Sequence, residues 1–263
     1  MMRRIMIKPQ TKPLVSLQDA SKTYASGTVA LAGLNLDVCE GEFLSLLGPS
    51  GCGKSTILRL IAGLDQVSSG TLTRGFESGR ASVGFVFQEP TLMPWANVFD
   101  NVFLPLRLQG RSRRQAALSV GEALALVGLA AEAAAFPREL SGGMRMRVSI
   151  ARALVLHPKL LLMDEPFAAL DEITRFKLND DLLRLQVELG TTIIFVTHSV
   201  YESVYLSSRI AVMAARPGRV VKEVPIDAAP RGKDFRMSSA YAQACAQVSR
   251  TLQDEMRQAA SEV

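Results

Sequence analysis

The chain has 263 residues, 48% hydrophobic and 21% charged, a globular balance long enough for one large domain or two modest ones. Its net charge of +5, from 30 basic and 25 acidic residues, is too mild to argue for nucleic acid and suits a surface near anionic lipid equally well. Cys39, Cys52 and Cys245 have no pairing or ligand spacing and only His157 and His198 could join them, which excludes a disulfide framework and a zinc cluster and points to a reducing cytosol; no apolar run approaches the ~18 residues of a membrane span.

Residues 1–13 read as a loose N-terminal arm, because Lys8, Pro9, Gln10 and Lys12 interrupt any signal-peptide core. Leu14 to Leu17, Val29 to Leu31 and Leu34 to Val38 alternate apolar and polar residues, with turn chemistry at Ser26-Gly27-Thr28 and Cys39-Glu40-Gly41. An antiparallel layer is therefore expected first. Tyr24 falls on a loop between these strands, either as a half-buried core aromatic or as a stacking surface for a purine ring.

Glu42 to Leu47 then reads as a buried strand and Ser55 to Ala62 as a helix. Between them Gly48-Pro49-Ser50-Gly51-Cys52-Gly53-Lys54-Ser55-Thr56 fits the phosphate-binding loop G-x-x-x-x-G-K-[ST]. Glycines let the backbone wrap phosphates, the helix start supplies free N–H groups, Lys54 a mobile positive charge and Ser55 a hydroxyl for Mg²⁺. Cys52, beside Lys54 and a helix start, is either a thiol of lowered pKa that ATP would shield or an inert small residue.

Ser68 to Thr73 looks like a turn and short strand, and Ala81 to Phe87 like a strand that ends at Gln88. Ligand groups gather at the carboxyl ends of strands in open α/β sheets, so Gln88 is a candidate for Mg²⁺ or for orienting water. From 89 to 157 the character turns helical: Pro90, Pro94 and Pro105 break its beginning, Arg113 to Val127 reads as a helix stopped by Gly128, and Ala130 to Ala135 as a short helix. Met93, Pro94, Trp95, Val98 and Phe99 form an apolar group that either packs in a local core or receives an external helix.

Leu140-Ser141-Gly142-Gly143-Met144 opens a helix with apolar positions at Met144, Val148, Ala151 and Val155; Ser141 is an N-cap, and the two glycines make a second anion site the alternative to a plain cap. Lys159 to Glu165 is a continuous apolar strand ending in Asp164 and Glu165, carboxylates that resist burial without a purpose. Asp164 is assigned to Mg²⁺, directly or through water, and Glu165 to polarising the water that attacks the γ-phosphate. Asp171 is placed to cap a helix from Glu172 to Leu189, and Thr191 to Val196 forms a further buried strand with His198 just past it. Arg209 to Ala214 and Val220 to Val224 read as an edge hairpin, Pro225 to Lys233 as a linker, and Ser239 to Ala260 as a mixed-face helix.

The ordered set of Gly48–Thr56, Gln88, Leu140–Met144, Leu160–Glu165, Ala169-Leu170-Asp171 and His198 resembles the ATP-binding subunits of ABC transporters, over about Leu14 to Val224. The resemblance implies an α/β fold: a RecA-like P-loop core with an antiparallel β-layer and an inserted helical subdomain (about 89–157), the ATPase domain spanning 14–225 and a linker and helical tail 226–263. It implies a head-to-tail homodimer with two ATP–Mg²⁺ units between the subunits. By resemblance Tyr24 stacks adenine, Lys54 and Ser55 take phosphate and Mg²⁺, and Gln88 senses Mg²⁺ and the membrane partner. Ser141 and Gly143 reach the γ-phosphate of the other subunit, Glu165 is the catalytic base, Asp171 crosses the interface and His198 holds the γ-phosphate. Met144 departs from the pattern, since the signature commonly has Gln there. The stretches Ser141–Val148 and Leu92–Val98 are similar to the importers of nitrate, sulfonates and taurine. That implies membrane permease subunits docking near Gln88–Phe99, an extracytoplasmic solute-binding protein as indirect partner, no nucleic acid, and a place on the cytoplasmic face of the membrane. A soluble ABC ATPase of DNA repair or translation is the rival reading.

Overall fold

The computed structural model describes residues 13–76, 82–214, 217–226 and 231–261. The expected N-terminal arm (Pro13 excepted), Ala81, Arg216, Pro230 and residues 262–263 lie outside them. The alternating stretches near the start form β1 (Val15–Thr23) and β2 (Val29–Val38), paired antiparallel. β2 is one strand where the sequence suggests two. Gly33 takes a left-handed φ of 58° within it, and the pairing with β1 is irregular there, so the break in alternation is a bulge rather than a strand end.

After β3 (Phe43–Leu47) and α1 (Lys54–Ile61), β4 (Ser69–Arg74) returns to β1, giving an outer sheet in the order β2-β1-β4. The main sheet adds β5 (Val83–Val86), β6 (Leu160–Asp164), β7 (Thr192–Thr197), β8 (Arg209–Ala214) and β9 (Arg219–Pro225), in the order β5-β6-β7-β3-β8-β9. All its pairs are parallel except β8 with β9. The central strands β3 and β7 are buried along their whole length, as strands covered on both faces must be. Their apolar side chains feed two cores. Leu44, Leu46 and Ile57 pack toward the outer sheet, while Phe43, Phe167 and Phe195 pack toward the helices.

The helices are α2 (Val98–Leu108), α3 (Arg113–Leu126), α4 (Gly142–Leu154), α5 (Glu172–Leu189), α6 (Val200–Leu206), α7 (Lys233–Arg236) and α8 (Ser239–Ser261). Pro105 does not break the chain but sits inside α2, which tolerates the lost N–H bond. The expected helix from Ala130 to Ala135 shrinks to a 3₁₀ turn at Ala130–Glu132. The carbonyls of Ala133 and Ala135 are taken by the N–H groups of Phe99 and Val98, so the turn cannot propagate. Neither α6 nor α7 is evident in the sequence. The tail helix α8 buries Cys245 and Val248 against Val204 of α6 and Ile210 and Val212 of β8, so its mixed face is a docked face.

Candidate active site

Three parallel strands end side by side and deliver the chemistry. β3 runs into the Gly48 loop, β6 into Asp164 and Glu165, and β7 into His198. Gly48 and Gly53 are required by crowding. A Cβ on Gly48 would lie 2.7 Å from the Met213 carbonyl oxygen, and one on Gly53, whose φ is 87°, 2.6 Å from Leu31. Gly53 leaves the start of α1 without a side-chain cap, so its first N–H groups face the loop, as an anion site needs.

Lys54 is nearly buried, and its Nζ donates to the carbonyls of Gly48 and Pro49, each at 2.8 Å. The Ser55 hydroxyl donates to Asp164 Oδ1 at 3.0 Å. Burial raises the Asp164 pKa, and the Ser55 hydrogen bond pulls it partly back. Glu165 stands between two partners: one oxygen is 3.9 Å from Lys54 Nζ and the other 3.2 Å from His198 Nδ1. Its φ of 46° is left-handed, a strained value for a non-glycine residue and common at working sites. The N–H of Glu165 donates to the Val196 carbonyl at 3.1 Å, which pins that conformation against β7.

These groups line a cavity of about 500 Å³ with Thr28, Val29, Ala30, Ser50, Gly51, Gly53, Thr56 and Gln88. Of the residues singled out in the sequence, it gathers Ser50, Gly51 and Gly53 to Thr56 of the loop with Gln88, Asp164 and Glu165, while His198 reaches its edge only through Glu165. Tyr24 stands beside it, its hydroxyl 3.3 Å from Thr56 Oγ1 and Lys22 Nζ 5.2 Å from its ring centre. For a metal, the cavity offers the half-buried carboxylate of Asp164, the Ser55 hydroxyl and the Gln88 amide oxygen, with Glu165 committed to Lys54 and His198 beside them. Among the described residues no group of three or more His, Cys, Asp or Glu is placed to hold an ion. One carboxylate with neutral oxygens is the set Mg²⁺ takes when substrate phosphates complete its shell, so the residues fit it.

Ser141 to Gly143 and Asp171 are not part of this cavity. The Ser141 hydroxyl accepts from the Met144 N–H at 3.3 Å, and Asp171 accepts from the Thr174 N–H at 2.9 Å, each an N-cap. That bond holds the Asp171 carboxyl below the usual range. The two loops pack on each other, with Leu170 against Gly142 and Thr174 against Gly143. Met144 makes its cap bond through its backbone while its half-buried side chain joins the helical core.

Cys52 corrects one expectation. Its thiol is fully buried, and burial outweighs the neighbouring Lys54, so its pKa is raised rather than lowered. The apolar group near Trp95 divides: Val98 is buried and Phe99 half-buried, while Trp95 is 78% exposed. Its loop is held from beneath by Asn101, fully buried, whose amide exchanges bonds with the Met93 N–H and carbonyl and donates to the Ala96 carbonyl. Arg152 of α4 ties the Gln88 segment in place through the carbonyls of Pro90 and Thr91, at 2.8 and 2.9 Å. The sequence singled out neither residue. A lone Asn or Arg in a helix reads as solvent-facing, and only the fold shows the carbonyls it meets.

Known proteins are similar to this chain in sequence and fold. The family model for the ABC transporter matches residues 31–168. An aliphatic sulfonates import ATP-binding protein of Pseudomonas savastanoi pv. phaseolicola is 45% identical over 221 residues, 84% of this chain and 89% of that one. A taurine import ATP-binding protein of Rhizobium johnstonii is 45% identical over 207 residues, 78% and 79% of the two chains. Among solved structures, cbiO1 of Clostridium perfringens, part of the ABC transporter complex cbiONQ, matches with a TM-score of 0.74 at 31% identity, covering 81% of this chain and 88% of that one. The dimeric ATP-binding cassette MJ0796, in a post-hydrolysis state bound to ADP and Pi, matches with a TM-score of 0.70 at 35% identity, covering 82% of this chain and all of that one.

Proposed function

The chain belongs to the ABC transporter family, and from that premise we propose that it is the ATP-hydrolysing subunit of an importer for a small anion, of the nitrate, sulfonate or taurine kind. The observation that carries this is Glu165, set between Lys54 and His198 on a cavity whose other wall is the glycine loop. Lys54 and the N–H groups at the start of α1 bind the β- and γ-phosphates. Ser55, Asp164 and Gln88 would hold Mg²⁺, which when bound neutralises charge on the phosphates. Glu165 takes a proton from the attacking water, and His198 is assigned to the γ-phosphate, its ring oriented by Glu165. Tyr24 is assigned to the adenine ring.

Ser141, Gly143 and Asp171 act on the second copy of a head-to-tail homodimer. They form one packed unit away from the Lys54 cavity, and the Ser141 helix start supplies N–H groups to a phosphate from outside. Membrane permease subunits dock near Gln88–Phe99, where Trp95 offers an exposed aromatic surface on a loop tied down by Asn101 and Arg152. No helix among the described residues is long and apolar enough to cross a membrane, so contact with the bilayer runs through that partner at its cytoplasmic face. A solute-binding protein stands one step further away.

The test is fractionation. The tagged full chain, extracted in mild detergent, is expected to bring down an integral membrane protein and to hydrolyse ATP. Recovery with ribosomes or DNA, and with no membrane protein, would move it to the rival reading of a soluble ABC ATPase.

A further inference from the structure

The His198 side chain is 60% exposed, and its one polar side-chain contact among the described residues is with Glu165. Its aim therefore depends on the backbone of the turn that carries it. That turn is closed by a small ring of bonds. Thr197 Oγ1 donates to Glu202 Oε2 at 2.6 Å and accepts from the Ser199 N–H at 3.0 Å. The Ser199 hydroxyl in turn accepts from the Glu202 N–H at 3.3 Å. Glu202, in the first turn of α6, is 8% exposed. Its second oxygen makes no hydrogen bond and faces Arg175 Nε at 3.7 Å, which makes none either.

Arg175 belongs to α5, the helix that Asp171 begins, and its Nη2 donates to the Leu170 carbonyl at 2.8 Å. One guanidinium thus spans from the Asp171 loop to the carboxylate that shapes the His198 turn. A charge-assisted bond of this type ordinarily closes to about 2.8 Å. The observed pair stands well short of that, with both atoms out of water. Ions left in that position are costly, and a small shift of the Asp171 loop would relieve them. Asn179, one turn further along the same face of α5, adds a buried oxygen without a hydrogen bond. Side chains from α5, α6 and the tail, Arg175 and Glu202 among them, surround a cavity of about 480 Å³ here, so the Arg175 side chain has room to move.

We propose that Glu202 and Arg175 are positioning residues for hydrolysis: Glu202 sets the turn that aims His198, and Arg175 reports to it where the Asp171 loop stands. The inference rests on the ATPase reading above. When a second copy engages the Asp171 loop, Arg175 closes on Glu202 and the His198 turn is fixed. An isolated copy keeps the pair open.

The variants are Glu202→Gln, which keeps an acceptor for Thr197 but loses the charge, and Arg175→Lys, which keeps charge but loses the fork. Each is made in the wild-type chain and in a His198→Ala chain, and steady-state ATPase is measured on the full-length protein. Misplacement of a reacting group by about 1 Å costs up to roughly a hundredfold, so kcat is expected to fall about ten- to a hundredfold with KM for ATP unchanged. In the His198→Ala background the same substitutions should cost less than about twofold, because residues acting through one path are not additive. Equal losses in both backgrounds, or no loss in either, would overturn the inference while leaving the ATPase reading intact. A wild-type chain with no ATPase activity would sink both. Should Glu202→Gln fail to fold, Arg175→Lys decides alone, with the same two outcomes.

Discussion

Replacing Glu165 by Gln separates chemistry from binding at this site. The amide keeps the shape of the side chain and can still bond His198, so the packing around it stands. What goes is a base, and a base in general acid–base catalysis is worth about a hundredfold to ten-thousandfold. That corresponds to about 2.7–5.5 kcal/mol of barrier. A second effect has the opposite sign. Glu165 lies 3.9 Å from Lys54 Nζ, a separation at which two unit charges attract by about 1 kcal/mol in a water-like dielectric. The Lys54 and Glu165 side chains are only 5% and 21% exposed, so the water-like value is the lower end of the range. Without that competing attraction Lys54 is freer to serve phosphates, and ATP binding should tighten by roughly fivefold as a minimum. The assay pairs steady-state hydrolysis with light scattering in ATP: hydrolysis should nearly vanish while ATP affinity rises and a dimer accumulates. A variant that hydrolysed ATP at the normal rate and stayed monomeric in ATP would refute the assignment of Glu165.

Thiol chemistry gives a second check: a short pulse of alkylating reagent on the native chain should label exposed Cys39 and spare buried Cys52 and Cys245, all three labelling only in denaturant. Labelling of Cys52 as fast as Cys39, read by mass spectrometry, would contradict its burial. A third concerns alkali. Burial and the hydrogen bond to Asp180 push Tyr205 up to about 12. Its folded-state pKa lies above the ordinary ~10, so its contribution is complete below that value and is lost as pH rises from ~10 through about 12. Burial pushes Tyr241 up as well, so tyrosinate absorbance should show late titration whose amplitude Tyr205→Phe reduces by one tyrosine, and an unchanged amplitude would count against the Asp180 bond.

The residues that carry phosphate chemistry were legible because each follows a strand that is itself legible. A strand buried on both faces writes itself as a near-continuous apolar run, and β3 (interrupted only by Ser45), β6 and β7 do so. The residue after each run, Gly48, Glu165 or His198, then stands at a carboxyl end. The rest hid for specific reasons. α6 is a single short helix whose burial comes from α8, some forty residues later in the chain, so no local pattern marks it. Glu202 and Arg175 are residue types that read as solvated, and the burial of Glu202 and of the Arg175 Nε is a tertiary fact. At Cys52 two opposing effects meet, and the sequence shows the nearby lysine while the fold decides the burial that wins. Trp95 is the reverse, an aromatic that reads as core and is held out in solvent by a buried Asn.

The contacts within one copy are also consistent with the proposed second copy. Lys54 rests on carbonyls of its own loop and Ser55 on Asp164, so an incoming nucleotide exchanges partners for both rather than meeting idle ones. Exchange of that kind gains modestly, since each new charge-assisted bond replaces an existing one. The helix start at Ser141 is different. Its N–H groups lie off the cavity, and in the proposed homodimer they meet the phosphate bound at Lys54 of the other copy. In the proposed homodimer the γ-phosphate is the group that both halves touch, and a ligand shifts an equilibrium only by its differential affinity for the two states. ATP therefore favours the closed pair and ADP does not. On the proposed assignment Glu165 takes the proton of the water that displaces that phosphate, and so removes the bridge that its own subunit had helped to form.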